Sequence, residues 1–137
     1  MKRLDNIFYG LQKQSKEDLF LSLSRNLDNI LNTRSSLSCS DFISSEFLSS
    51  IYFGVPSFTH LSMNSKKDKE ILCISIEKAI VNFENRLQNV MVEFCNYDNL
   101  KKEAKIVVFG EFLKNEVVVN LVLKVVFWEF LVNVKKE

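Results

Sequence analysis

The sequence predicts an α+β fold, two main helices followed by a small antiparallel sheet of three to four strands with an edge available for pairing. Three observations predict it. Before residue 84 apolar residues recur every three or four positions in two long stretches, as they do on one face of an α-helix. After Arg86 the apolar residues alternate, as they do on one face of a strand. The period changes at Glu84-Asn85-Arg86, so a charged pair sits at the corner between helix and strand.

Residues 1–14 form a polar lead, an N-terminal arm or first helical turn, with Leu4, Ile7, Phe8 and Leu11 at helical spacing. Ser15 with Asp18 resembles a capping box with aspartate in the glutamate position, which opens a helix that runs to Leu31. Phe20, Leu23, Leu27, Ile30 and Leu31 are its apolar face, Lys16, Glu17, Asn26 and Asn29 lie elsewhere on the wheel, and Asn32-Thr33-Arg34 closes it. Residues 35–50 carry eight serines, whose hydroxyls compete for backbone partners. That composition predicts a loop with a short helix at residues 41–50, anchored by Leu37, Phe42, Ile43, Phe47 and Leu48. Tyr52-Phe53-Gly54-Val55-Pro56 is a turn by composition.

Ser65 with Asp68 caps the second long helix, whose stripe is Leu72, Ile76, Ala79, Ile80 and Phe83. Asn85 tolerates the left-handed conformation and is placed to stop that helix. Strands follow near residues 87–95, 105–113 and from 117 onward. In the first of them Val90, Val92 and Phe94 share one face, with Met91, Glu93 and Cys95 on the other. Residues 117–134 are apolar on both strand parities, with Asn120, Lys124, Glu129 and Asn133 interrupting any membrane-spanning reading. Run straight, this stretch would reach about 60 Å, beyond the roughly 35 to 40 Å width of a compact chain of this length. It lacks Gly, Pro or Asn-Gly at which to fold back, so its end is expected to leave the domain and pair with another chain. Trp128 and Phe130 would then be interface anchors. The other readings are a fold-back near Lys124 or a buried central strand that bends at a bulge.

The 137 residues read as a single domain, 1–137, with residues 117–137 as a C-terminal strand region. With 47% hydrophobic and 26% charged residues the chain is globular rather than disordered. Eighteen basic against seventeen acidic residues leave a net charge of +1, which points to no nucleic-acid partner. Cys39, Cys73 and Cys95 are odd in number and contain no C-x-x-C pair, which argues against a disulfide framework and a zinc site and for a reducing cytoplasm. No apolar run near the N-terminus is long enough for a signal peptide.

No catalytic constellation emerges. His60 is the single histidine and has no nucleophile framework around it, so it reads as a surface or loop residue. No phosphate-cradling or metal-binding string occurs, hence no cofactor, metal or small-molecule substrate is expected. Asp41, Glu46, Glu84 and Glu93 are candidate carboxylates for glycoside hydrolysis, but nothing pairs one of raised pKa with a second. Glu84 and Arg86 either pair with each other, meet a partner's charges, or stand solvated at a helix end.

Three segments in linked order resemble a family. Residues 26–34, Asn-Leu-Asp-Asn-Ile-Leu-Asn-Thr-Arg, are similar to a helix end that reads arginine-aspartate-leucine, then glutamate-x-leucine-leucine-asparagine-threonine-arginine. Residues 52–58 resemble a tyrosine-glycine-leucine-proline-aspartate turn, with Phe53 inserted and Ser57 replacing the acid. Residues 76–86 resemble an isoleucine-rich helix ending in glutamate-proline-arginine, with Asn85 in place of proline. The family is that of the baseplate wedge proteins of contractile tails, including the TssE subunit of the type VI secretion system and its lysozyme-like phage relatives. The resemblance implies a structural subunit that docks on larger wedge proteins through Glu84 and Arg86. It also implies strand pairing with sheath subunits to start sheath polymerisation, with the membrane met only through the assembled machine. The resemblance covers residues 22–113, so the C-terminal strands enter by the edge argument and analogy, and Arg34 joins Trp128 and Phe130 as further partner-binding residues. The rival readings are a peptidoglycan hydrolase and a homodimerising β-edge domain.

Overall fold

The computed structural model describes the backbone of residues 2–136 and the side-chain surroundings of residues 17–136. Helix α1 spans Lys2–Asn32 and is unbroken through Ser15. The expected cap at Ser15 is therefore absent, because a cap residue must leave helical geometry. Leu11-Gln12-Lys13-Gln14 and Lys16-Glu17 around it are strong helix formers, and one interior serine costs only about 0.5 kcal/mol relative to alanine. The faces of Leu4, Ile7, Phe8 and Leu11 lie outside the described side chains.

The serine-rich stretch holds a shorter helix, earlier than expected. Helix α2 is Cys39–Ser44, opened by Ser38, whose Oγ accepts the Asp41 amide at 3.2 Å. A 3-10 turn, Ser50–Tyr52, follows. The expected helix at residues 41–50 fails beyond Ser44 because Ser45 is extended and its hydroxyl bonds the Asp41 carbonyl at 2.7 Å. Lys78 of the next helix also takes the Ile43 carbonyl, at 2.8 Å. That helix, α3 (Lys66–Phe83), begins at Ser65 as predicted, with Oγ accepting the Asp68 amide at 3.3 Å.

Four antiparallel strands complete the chain in meander order: β1 Leu87–Asp98, β2 Glu103–Phe112, β3 Asn115–Lys124 and β4 Glu129–Lys136. The helices cover one sheet face, α3 against β1 and α1 against β4. Ile106, Val108, Val119, Leu121 and Phe130 are buried on that face against Leu23, Leu27, Ile30, Leu72, Ile76 and Ile80. The stripes predicted for both helices are the ones buried, with Phe20 and Phe83 half-covered at their ends. In β1, Val90, Val92 and Phe94 pack toward the core while Met91 stays exposed, as the alternation predicts. The other sheet face is partly open.

Residues 117–134 do not leave the domain. They turn back through residues 125–128 as a hairpin, with β3 and β4 paired from Lys124↔Glu129 to Val117↔Lys136. At about 3.3 Å per residue, a ten-residue β3 fits the width of the domain, so length no longer forces an exit. A tertiary bond supports a turn without a local signal: the Val125 amide donates to the Lys102 carbonyl at 2.9 Å, and within the turn the Phe127 amide donates to the Lys124 carbonyl at 3.2 Å. Trp128 then adopts φ 52, a conformation that L-residues with bulky side chains seldom take.

The β2–β3 turn has the same character. Phe112 pairs with Asn115, leaving Leu113 (φ 54) and Lys114 (φ 65) as the two central residues of a type I′ geometry that favours Asn-Gly. Replacing Leu113-Lys114 by Asn-Gly is expected to raise stability by about 1 kcal/mol, seen as a higher urea midpoint at unchanged slope. An unchanged or lower midpoint would show that the turn is not strained.

Candidate docking site

The Glu84 corner is built by three elements. Helix α3 ends at Phe83, and Glu84 is its C-cap, with φ −132, ψ 82 and its amide donating to the Ile80 carbonyl at 2.8 Å. Glu84 is only 2% exposed. A carboxylate taken out of water needs compensation, and four hydrogen bonds supply it. Arg86 Nε and Nη2 each donate at 2.8 Å, to Oε1 and Oε2 respectively, forming a two-pronged pair. The Arg86 amide donates to Oε1 at 3.1 Å and Asn26 Nδ2 to Oε2 at 2.7 Å. Asn26 also donates to the Phe83 carbonyl at 3.2 Å, which fastens α1 to the last turn of α3.

Burial works to raise the Glu84 pKa, but the hydrogen bonds from Arg86 and Asn26 outweigh it and hold the carboxyl below its ordinary value. The same pairing raises the Arg86 pKa. Glu84 is thus a buried, ionised, intramolecular partner, and the reading of two solvated charges does not hold. Arg86 is the outward half of the pair, with its side chain 36% exposed. Its Nη1 donates to Ser22 Oγ at 3.1 Å, and its guanidinium lies 5.8 Å from the centre of the Phe112 ring.

Asn85 does not stop the helix by turning left-handed. Among the described residues the non-glycines with positive φ are Asn89, Lys102, Leu113, Lys114 and Trp128. Asn85 is instead the second residue of a turn closed by the Leu87 amide on the Glu84 carbonyl at 3.3 Å. Proline also suits that place, because its fixed φ matches the second position of common turns.

A second cluster forms where α1 meets β4. Asn32 Nδ2 donates to the Phe130 carbonyl at 2.9 Å, and its Oδ1 accepts the Phe130 amide at 2.7 Å. Arg34 donates to the Leu31 carbonyl at 2.9 Å and, through Nη2, to the Trp128 carbonyl. Desolvation lowers the Arg34 pKa from its ordinary value. The turn motif locks onto this cluster from behind, with the Val55 amide on the Thr33 carbonyl at 2.9 Å and the Ser35 amide on the Val55 carbonyl at 2.8 Å. Gly54 makes this approach possible: at φ 114, a Cβ there would lie 2.3 Å from the Thr33 carbonyl oxygen.

The five residues singled out from sequence therefore fall into two groups, Glu84 with Arg86 and Arg34 with Trp128 and Phe130. Both groups hang on α1. Phe130 is 1% exposed and packs against Phe58 with ring centres 6.5 Å apart, so its side chain belongs to the core. Trp128 is half-buried beside the exposed Phe127. Sequence reasoning missed Asn26 and Asn32, the two amides that do the fastening. The signal was their six-residue spacing on a helix, which puts them about 9 Å apart along its axis.

His60 is exposed on an open cleft lined by Ser35, Cys39, Ile43, Ser57 and Ile71. Its lining carries no carboxylate. Among the described residues no group of three or more His, Cys, Asp and Glu is placed to hold a metal ion, and no helix is long and apolar enough to cross a membrane. Cys39, Cys73 and Cys95 are free thiols, and burial together with Cys95 and Glu77 pushes Cys73 up to about 11.

Because its folded pKa lies below its unfolded value, Glu84 contributes stability above about pH 4.3 that is lost as pH falls through the folded value. Glu84→Gln is expected to cost about 1–3 kcal/mol at pH 7, and the gap from the parent chain should shrink as pH is lowered below 4.3 in urea titrations. A gap that stays constant from pH 7 to about pH 3 would show that the carboxylate carries no linked stability.

No curated protein and no solved structure matches the chain. The family model of baseplate wedge protein gp25 matches residues 17–115. That span holds the Asn32-Thr33-Arg34 helix end, the Gly54 turn and the whole Glu84 corner. The chain belongs to the baseplate wedge protein gp25 family.

Proposed function

We propose that this chain is a structural component of a contractile-injection baseplate, of the type VI secretion class and assembled in the cytoplasm. In this reading it docks on larger wedge proteins through the Arg86 corner and starts sheath polymerisation through the β4 edge. The observation that carries the baseplate role is the family match across residues 17–115. Strand β4, Glu129–Lys136, lies beyond that span, and its role is argued from its open edge.

The geometry of the corner refines how docking would work. Glu84 is buried and spent on Arg86 and Asn26, so its role is to hold Arg86 in place. The surface left for a partner is the outer edge of Arg86 with the adjoining face of α1. Asp18, Leu21, Ser22, Arg25 and Asn29 line an open groove beside it, and Leu21 is 49% exposed. Leu21 with the neighbouring Arg25, Asn29 and Arg86 would supply the apolar and Arg contacts of such a docking patch. At the other cluster, Arg34 and Trp128 would position the start of β4, with Phe130 supporting it from the core.

A hydrolytic role finds no support at this corner. A general acid needs a carboxyl held protonated near neutral pH, whereas Glu84 is held ionised and has both oxygens occupied.

Reversing Glu84 and Arg86 together would strike the fold as well as the surface, so the test uses their exposed neighbours. Leu21→Glu with Arg25→Glu should reduce co-purification with wedge partners at least tenfold while leaving the urea midpoint within about 0.5 kcal/mol of the parent chain. Undiminished co-purification would overturn docking at this face.

A further inference from the structure

The β4 edge is not uniformly available, and the pattern of closure is specific. In an antiparallel ladder the amide and carbonyl of a given residue point to the same side, and successive residues alternate. Phe130 turns both groups to Asn32, and Trp128 turns its carbonyl to Arg34. Pairing with β3 continues without a break along β4. Residues 132, 134 and 136 therefore turn their amides and carbonyls to the open side as well. The first half of the edge is occupied, and among the described residues nothing bonds to the open side of the second half.

The occupation is firm. Asn32 uses its acceptor on the Phe130 amide, and its donor group on the Phe130 carbonyl and on Asp28 Oδ1, the latter at 2.9 Å. Both Phe130 groups are satisfied, as they would be by a neighbouring strand. An incoming strand cannot pair at Phe130 without expelling this amide, and a one-residue slip would put its side chains on the wrong faces.

We propose that Asn32, backed by Arg34, is a register stop that confines strand addition to Val132, Val134 and Lys136, and that the strand accepted there is a short apolar/acidic segment of another protein. The inference rests on the reading of β4 as the strand-accepting edge. Its chemistry follows from the free half. Val132 and Val134 pack half-buried on the helix-covered face, so a neighbour needs apolar side chains on that face to extend the core. Lys135 and Lys136 are exposed, and among the described residues neither forms an ion pair. Lys135 lies on the face opposite Val132 and Val134, so an alternating strand that is apolar across from the valines brings its carboxylates across from Lys135, where they are favourable. A second copy of this chain fits poorly. Antiparallel self-pairing within the free half centres on Val134 and sets Lys135 against Asn133, which offers no carboxylate.

Amide hydrogen exchange on the labelled full chain, with and without a capped synthetic Val-Glu-Val-Glu-Val-Glu peptide, tests this. Without peptide, the Phe130 amide should exchange at least tenfold more slowly than those of Val132 and Val134. Asn32→Ala should remove that protection. Peptide should protect Val132 and Val134 but leave Phe130 unchanged in the parent chain, and should reach Phe130 in Asn32→Ala; a Val-Lys peptide should protect none of them. An Asn32→Ala chain with unchanged Phe130 exchange and an unchanged peptide footprint would overturn the register stop. Failure of the acidic peptide to protect Val132 and Val134, with Phe130 still shielded by Asn32, would instead overturn strand acceptance at this edge. Concentration-dependent protection of Val132 and Val134 without peptide would make a second copy the occupant and overturn the choice of partner.

Discussion

A carboxylate buried at the joint between helix and sheet is the constraint on which the rest of this structure depends. Glu84 is ionised and nearly inaccessible, so every element around it must keep a donor aimed at it. Arg86 supplies three donors from the start of β1, and Asn26 supplies one from α1. The interaction therefore sets the angle at which the chain leaves α3, and it fixes α1 across that exit. A buried ion pair of this kind is weak evidence for stability by itself, since an apolar replacement of the same shape can be as stable. What the contacts show is geometric: donors from α1 and from the start of β1 converge on the end of α3, and Arg86 is left facing outward.

Asn32 is a second amide on the same helix, and it acts on the far side of the sheet. Asn26 faces the carboxylate next to β1, while Asn32 faces the backbone of β4. Helix α1 thus spans the helix layer and touches both outer strands' territory through short polar arms. The Gly54 turn holds the end of α1 in place by backbone bonds that only a residue without Cβ permits. The three segments that resemble the family are the three pieces of this polar frame. Their linked order in the sequence follows from their contacts in space.

Much of this was legible from residues alone, where a local signal carries the structure. The apolar stripes of α1 and α3, the Ser65 cap and the alternation in β1 are local patterns, and each appears where the spacing placed it. The misses occurred where tertiary bonds replace local signals. The fold-back at residues 125–128 has no glycine or Asn-Gly, and it is held from outside the turn by Lys102 and Arg34 instead. Asn85 looked like a left-handed helix stop, but the cap is Glu84, whose burial no window of neighbouring residues reveals. Ser15 has the spacing of a cap, yet its flanking helix formers carry α1 straight through it. At the site, the charged pair was visible as a pair; the amides that complete it were not, because Asn26 lies 58 positions from Glu84.

The central claim is that Asn26 and Arg86 act together through one buried carboxylate, and a double-mutant cycle between Asn26→Ala and Arg86→Ala measures this directly. Urea unfolding of the four chains should give an interaction energy of about 1 kcal/mol or more, because each substitution changes what the other leaves unsatisfied at Glu84. Costs that add to within about 0.3–0.5 kcal/mol would mean that the two side chains act independently, and would contradict the account.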